Sequence, residues 1–342
     1  MEKQKIFLGA YINYLNAQNI NCKSIANHLD KSKYDVKTLI LSKGESIELQ
    51  DVQTIKVRNN RLSIFYAFLS GIIWADVAYL PKHQSTPRIV LRINKIFGTK
   101  LFTTIEGNMC DTSKKSMIDS FNGVKNMQNY FSLIPNIYGI TKHIIQNATC
   151  GVKLNNNPLY LGVEKADFIS SKKKRLQNII FIGSLIRRKG VEDFLKLASL
   201  YPDLNFYIIG DGPLKNELEN KSTTNVIFFG KLNSYEISNH LQNMDLHILL
   251  SRSEGFPKVI LETASSAIPS ILYDDYGADS WINHSENGFV VSNFEEVKNT
   301  IDNLIKNPEI LIRNSENVLE LAEKFDWKII IKSWEKVIDN LK

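Results

Sequence analysis

Residues 178–213 read NIIFIGSLIRRKGVEDFLKLASLYPDLNFYIIGDGP. An apolar run, Asn178–Ile182, stops at Gly183; a basic turn, Arg187-Arg188-Lys189, leads through Gly190 into a helical stretch reaching Leu200; a second apolar run, Asn205–Ile209, stops at Gly210-Asp211-Gly212-Pro213. Short apolar runs closed by glycine read as strands, and the longer periodic stretch between them reads as a helix. Strand, helix and strand in that order argue for a parallel sheet with helices on its faces.

The alternation continues in both directions. Downstream, strand-like 226–229, 246–250 and 270–273 alternate with helical 234–243 and 259–266, and helical 295–305, 310–323 and 328–341 close the chain. Upstream, 6–9, 36–41, 55–57, 76–80 and 100–105 read as strands among helical 20–29, 62–74 and 87–97. Residues 137–147 repeat the strand-to-helix step, and 159–163 read as one more strand. A chain of 342 residues suits two domains better than one. The expectation is an α/β fold of two doubly wound, Rossmann-like domains facing a central cleft. Residues 1–165 form the first domain and 166–327 the second. The final helix, 328–342, either crosses back to the first domain or packs where it stands. The basic stretch 170–175 is expected as the linker or a solvated loop beside it. Ligands of such sheets sit at the carboxyl ends of strands, where the strand order reverses.

Composition narrows the class. Apolar residues make up 43% and charged residues 23%, the balance of a globular protein. No stretch approaches the roughly 20 apolar residues that span a bilayer, and the segment after Met1 lacks the pattern of a signal peptide. A cytoplasmic setting is expected, with peripheral placement at the inner membrane face as its variant. Cys22, Cys110 and Cys150 are odd in number and far apart, which argues for reduced thiols and against a zinc site. The net charge of +6 is unevenly spread: residues 1–165 carry 21 Lys and Arg against 11 Asp and Glu, and the remainder 21 against 25. A basic first half suggests something anionic as its partner: a lipid headgroup surface, a phosphorylated acceptor or nucleic acid.

Three constellations follow strands in the second half. The turn 183–190 offers backbone amides at a helix start with Arg and Lys beside them, which suits a diphosphate. The turn 210–213 lets the chain approach a ligand closely. The run Ser253-Glu254-Gly255-Phe256-Pro257-Lys258-Val259-Ile260-Leu261-Glu262 places two acids eight positions apart, Glu254 in a loop and Glu262 in the helix beyond it. Separated carboxylates suit two jobs, one on a transferred sugar and one on a ribose diol, since each accepts two hydroxyl hydrogen bonds. Each feature alone has a plain structural reading as a solvated loop, a common turn or surface acids.

In this order and spacing, with Phe229-Gly230-Lys231-Leu232, Asp245, Ala264 to Pro269 and Asn287-Gly288-Phe289, they resemble the retaining glycosyltransferases of the GT-B fold, family 4 or group 1. The resemblance covers residues 178–290. It implies a nucleotide-sugar donor, with UDP ahead of GDP, held by Gly183, Ser184, Arg188, Lys189, Gly210, Lys231, Leu232, Glu254, Gly255, Phe256, Pro257 and Glu262. Lys189 would grip the donor diphosphate, with Arg187 or Arg188 compensating for Ser184, where the family usually has arginine. Lys231 and Leu232 match the base contact, Glu254 the sugar-holding acid and Glu262 the ribose-holding acid. Glu106 stands where many members carry a histidine, either as a third catalytic group beside Glu254 and Lys189 or as a cap. Asn13 and Asn16 replace a glycine-rich loop as candidate acceptor contacts, for a carbohydrate or lipid-linked acceptor in cell-surface polysaccharide or glycolipid assembly. No metal or cofactor is implied, because Asp-x-Asp is missing and the histidines lack ligand spacing. Nucleic acid drops out as a partner. Two rival readings stay open: a nucleotide-sugar epimerase on the same fold, and a non-catalytic protein that binds an anionic surface.

Overall fold

The computed structural model describes residues 2–341 apart from 15, 46, 48 and 115; Met1 and Lys342, the outer limits of the expected first domain and final helix, lie outside the described residues. The chain divides into two units. The first runs up to Leu161 and takes in the segment from Trp327 onward, and the second is Gly162–Asp326.

In the first unit the strands are β1 (Gln4–Tyr11), β2 (Tyr34–Leu41), β3 (Val52–Val57), β4 (Val77–Tyr79), β5 (Lys100–Ile105) and β6 (Asn136–Gly139). They pair in the order β3-β2-β1-β4-β5-β6, all parallel. In the second unit β7 (Asn178–Ile182), β8 (Asn205–Ile209), β9 (Val226–Gly230), β10 (Leu246–Leu249), β11 (Ser270–Tyr273) and β12 (Phe289–Val291) pair as β12-β11-β10-β7-β8-β9, again all parallel. The two orders are the same when each unit is counted from its own first strand. The order reverses between β1 and β4, and between β7 and β10. β4, β10 and β11 are buried at every residue, as strands covered on both faces by helices must be.

Local chemistry sets the helix starts. Asn16 caps helix Ala17–His28 by accepting from the Asn19 amide at 3.0 Å. Asn60 caps helix Arg61–Trp74 by accepting from the Ser63 amide at 2.8 Å. Helix Trp327–Asn340 packs within the first unit. There the Trp334 ring lies 5.0 Å from Tyr79, and its Nε1 donates to the Tyr160 carbonyl at 2.9 Å.

Three features differ from the sequence expectation. Residues 159–163 are not a strand, and Val163 makes an isolated bridge to Asp326; Pro158 precedes the run and Gly162 interrupts it, which leaves three residues, too few to join a ladder. Cys110 and Cys150 are joined as a disulfide, with Cα atoms 5.4 Å apart. Parallel pairing of β5 with β6 brings the segments that follow them side by side, a proximity hidden by 40 positions of sequence separation. Only Cys22 stays a free thiol, and it is buried. In the basic stretch 170–175, Lys173 is buried rather than solvated and donates to Ser171 Oγ at 2.7 Å. Burial pulls its ammonium down to about 8, with Asp245 opposing that shift. Among the described residues no helix is long and apolar enough to cross a membrane.

Candidate functional site

In the second unit the loops after β7, β8 and β10 meet beside the β7/β10 reversal. Two glycines allow this. Gly190 has φ +71°, and a Cβ there would overlap the Leu250 carbonyl. Gly210 has φ +148°, and a Cβ there would overlap the Gly183 carbonyl. Backbone bonds lock the approach: Gly183 donates to Ile209 at 3.0 Å, Leu185 to Asp211 at 3.0 Å and Arg252 to Arg188 at 3.0 Å.

That approach creates a charged cluster. Lys189 Nζ lies 2.6 Å from Glu254 Oε1, and Arg188 Nη1 lies 3.1 Å from the same oxygen. Arg188 also donates to the Ser253 carbonyl. The Lys189 and Glu254 side chains are only 14% and 10% exposed, so water screens the pair weakly. One carboxylate cannot neutralise two cations, so the cluster keeps a net positive charge. Arg187, the sequence alternative to Arg188, turns outward to an exposed pair with Glu192 at 3.8 Å.

The cluster adjoins a pocket of about 590 Å³ lined by Gly183, Ser184, Gly210, Asp211, Lys231, Leu232 and Ile237, among others. The aliphatic stem of Lys189 runs past Gly183 and connects the two. Gly255, Phe256 and Pro257 are buried, and Pro257 caps helix Lys258–Ser265. The Phe256 ring meets Trp281 edge-on at 5.0 Å, and the Gly255 amide donates to no backbone carbonyl among the described residues. Glu262 sits half-buried in that helix. Burial raises its carboxyl above the usual range, opposed by Lys258 one turn earlier. Among the described residues no hydrogen bond or ion pair joins Glu262 to Glu254, Lys189 or Arg188.

Several groups around the cluster escaped the sequence reading. His247, on β10, is fully buried; its Nδ1 lies 2.9 Å from Ser270 Oγ and its Nε2 has no partner. Burial first, and the Lys189 charge second, lower its pKa to about 3, so it is neutral. Tyr276 and Trp281 are buried, with an unpartnered hydroxyl and indole N–H respectively. Burial raises the Tyr276 hydroxyl, and the Glu254 charge raises it further. A lone His on a strand and a Tyr and a Trp in the turns after β11 carry no spacing signal that would have marked them.

In the first unit a cavity of about 930 Å³ lies over the carboxyl ends of β1, β2 and β3. Tyr11, Asn16, Lys43, Arg58 and Lys82 line it, and no Asp or Glu does among the described residues. The Tyr11 hydroxyl is buried without a partner. Burial lowers the Lys82 ammonium, opposed by Cys22 and Glu106. Glu106 follows β5 and accepts from Thr104 Oγ1 at 3.3 Å; its charge also raises the buried Tyr79 hydroxyl. Asn13 is a clip between strands: its amide donates to the Leu41 and Glu45 carbonyls at 2.9 and 3.1 Å, and its Oδ1 accepts from the Leu41 amide at 2.7 Å. Asn16 spends its Oδ1 on the helix cap. Among the described residues no three His, Cys, Asp or Glu side chains gather as a metal-ligand group.

A family model described as Glycosyl transferases group 1 matches residues 163–321. An uncharacterized glycosyltransferase of Haemophilus influenzae is 29% identical over 182 residues, which cover 49% of this chain and 51% of that protein. The alpha-monoglucosyldiacylglycerol synthase of Acholeplasma laidlawii is 26% identical over 180 residues, 51% of this chain and 44% of the synthase. The chain thus spans about half the length of the curated relatives it matches. Among solved structures, HepE of Anabaena in complex with UDP and glucose superposes with a TM-score of 0.79 at 16% identity, covering 98% of this chain and 100% of that one. At that identity the likeness speaks to the fold.

Proposed function

Residues 163–321 belong to the group 1 glycosyltransferases and the chain has the GT-B fold; from that premise we propose that it moves a sugar, with retention of configuration, from a nucleotide-sugar donor to an acceptor hydroxyl. The observation that carries this reading is the pairing of Lys189 and Arg188 with one oxygen of Glu254, at 2.6 and 3.1 Å, beside the glycine-walled pocket. The base would enter that pocket against Ser184, Lys231 and Leu232, and Glu262 would take the ribose hydroxyls. The diphosphate would lie on Lys189, Arg188 and the amides of the 183–190 and 255–256 turns. Glu254, held by the two cations, would present its second oxygen to the donor-sugar hydroxyls.

The chemistry needs charge stabilisation above all. As the bond from the anomeric carbon to the diphosphate breaks, negative charge grows on the leaving phosphate, and Lys189 and Arg188 meet it in a weakly screened site. The acceptor oxygen bonds to the same face of the sugar, and its proton passes to a donor phosphate oxygen. Those cations would neutralise the leaving diphosphate, the task a metal ion could otherwise perform, and so support a metal-independent reaction. UDP is the favoured nucleotide, in keeping with the Anabaena relative of this fold. The acceptor is assigned to the first unit's cavity, where Lys43, Arg58 and Lys82 favour a phosphate-bearing carbohydrate or lipid-linked acceptor. The likeness to an alpha-monoglucosyldiacylglycerol synthase supports this reading, and the reaction would belong to polysaccharide or glycolipid assembly.

A melting-temperature screen of UDP- and GDP-sugars tests the donor. A ligand at a hundred times its Kd adds about 2.7 kcal/mol to the folded state, a shift of several degrees. Glu262→Ala should weaken every nucleotide, whereas Lys189→Gln should weaken only those with two phosphates. No shift with any nucleotide sugar would overturn the reading.

A further inference from the structure

Two neighbouring helices of the first unit keep large apolar side chains in water. Helix Arg61–Trp74 exposes Leu62, Tyr66 and Ile73 at 71%, 63% and 48%, and helix Arg88–Phe97 exposes Ile89, Ile96 and Phe97 at 54%, 80% and 45%. The spacings are helical: 62, 66 and 73 fall on one face, as do 89 and 96. The two helices pack against each other, so the stripes lie on adjacent elements. Scattered exposed apolar residues need no explanation, but two such stripes on touching helices do.

Charge on the two helices has one sign. Neither helix contains an Asp or a Glu. Arg61, Arg92, Lys95 and Lys100 are all exposed beside them, and none of the four forms an ion pair among the described residues. Lys37 Nζ sits 3.9 Å from the centre of the Trp74 ring, adding a cation and an amphipathic aromatic at the end of one helix. The nearest acids in the same hollow as Phe97 are Glu2 and Asp76, accompanied there by Lys3, Lys5 and Lys100. An apolar stripe with basic flanks, on helices that carry no acid, is what an interfacial helix offers to a bilayer carrying negative headgroups.

We propose that the outer surface formed by helices Arg61–Trp74 and Arg88–Phe97 docks the chain onto an anionic lipid surface. Leu62, Tyr66, Ile73, Ile89 and Ile96 enter the headgroup region, and Arg61, Arg92 and Lys95 meet lipid phosphates. Charge complementarity selects this occupant. A second copy of the chain would set two basic surfaces against each other, and a neutral partner would leave the cations unpaired. The surface uses none of the donor-site residues, so the inference stands whether or not the proposed reaction is correct.

Vesicle flotation of the full chain tests it. Phosphatidylcholine vesicles are compared with vesicles containing about 30% phosphatidylglycerol, at low and high salt. The wild type should partition at least tenfold more strongly onto the anionic vesicles, and salt should weaken that preference. Arg92→Gln with Lys95→Gln should lower partitioning about tenfold or more, since each cation near such a surface contributes roughly a fivefold factor. Ile89→Gln with Ile96→Gln should lower it comparably and abolish what persists at high salt. Both double variants should keep the wild-type melting temperature and its response to UDP, which separates lost docking from lost folding. Equal partitioning onto neutral and anionic vesicles would overturn the proposal. So would undiminished binding by both variants, or a concentration-dependent dimer, seen by light scattering, that Ile96→Gln dissolves while vesicle binding is absent.

Discussion

The two units share one strand order and differ in what stands at their strand ends. In the second unit, tight glycine turns press three loops together until Lys189 and Arg188 meet one oxygen of Glu254, with Lys189 and Glu254 largely shielded from water. In the first, Asn13 ties the segment after β1 to the end of β2, and a larger cavity lined by Lys43, Arg58 and Lys82 lies over the strand ends. Identical topology therefore leaves chemistry undecided. Loop length and glycine placement decide whether charges are paired and buried or left facing a cavity, and function lives in that difference.

The largest test of the contrast exchanges one oxygen for nitrogen in each unit. Glu254→Gln should cut kcat about 10²- to 10³-fold, the usual cost of removing a buried group that organises charge at a reacting centre, with a much smaller change in UDP affinity. Glu106→Gln should change turnover tenfold at most, about 1.4 kcal/mol, and act mainly on acceptor KM. Steady-state kinetics on both variants decides it; equal losses would mean that the first unit also carries an acid at the reacting centre.

Next in size is a methyl group. Gly210→Ala puts a Cβ onto the Gly183 carbonyl at a positive φ, so the loops must part, at a cost of about 3 kcal/mol or more. Gly107→Ala in the first unit meets nothing within 4 Å and should stay within about 0.5 kcal/mol of wild type. Urea unfolding midpoints read both.

Acid compares the units through one buried histidine each. Burial lowers His83 to about 4 and His247 to about 3. An unfolded histidine titrates near 6.5, so between that pH and the folded value only the unfolded chain binds the proton, and stability falls as pH falls. At pH 5 each site should have lost roughly 2 kcal/mol relative to pH 7. The loss at His83 should level off near pH 4 and that at His247 continue towards pH 3. Urea titrations of wild type and His247→Asn at pH 7 and 5 check this; an unchanged pH dependence in the variant would refute it.

The smallest effect concerns the open cavity. Arg58→Gln with Lys82→Gln should raise KM for a phosphate-bearing acceptor about tenfold and steepen no salt dependence of UDP binding. Equal effects on acceptor and UDP would erase the division of labour between the units.

Much of this was legible in residue order. Strand ends at Ile182, Ile209 and Ile105, the glycines after β7 and β8 and the two acids eight apart are local patterns, set by the period of apolar residues and by turns that need a missing Cβ. The first unit was harder to read. Its candidate contacts, Asn13 and Asn16, are polar residues whose side chains the structure spends on backbone groups, as asparagine beside strand ends and helix starts often does. The strand Phe289–Val291 is only three residues long and carries no alternation to detect.

Sequence by itself determined the alternation of strands and helices, the two-unit count, the uneven charge and the motif order, because each depends on neighbours within a few turns of chain. Tertiary structure decided which of Arg187 and Arg188 turns inward, that Cys110 meets Cys150, that Lys173 is buried and that Tyr276 lies within reach of the Glu254 charge. Those depend on distances between strands paired across tens of residues, and on burial, which no local pattern encodes.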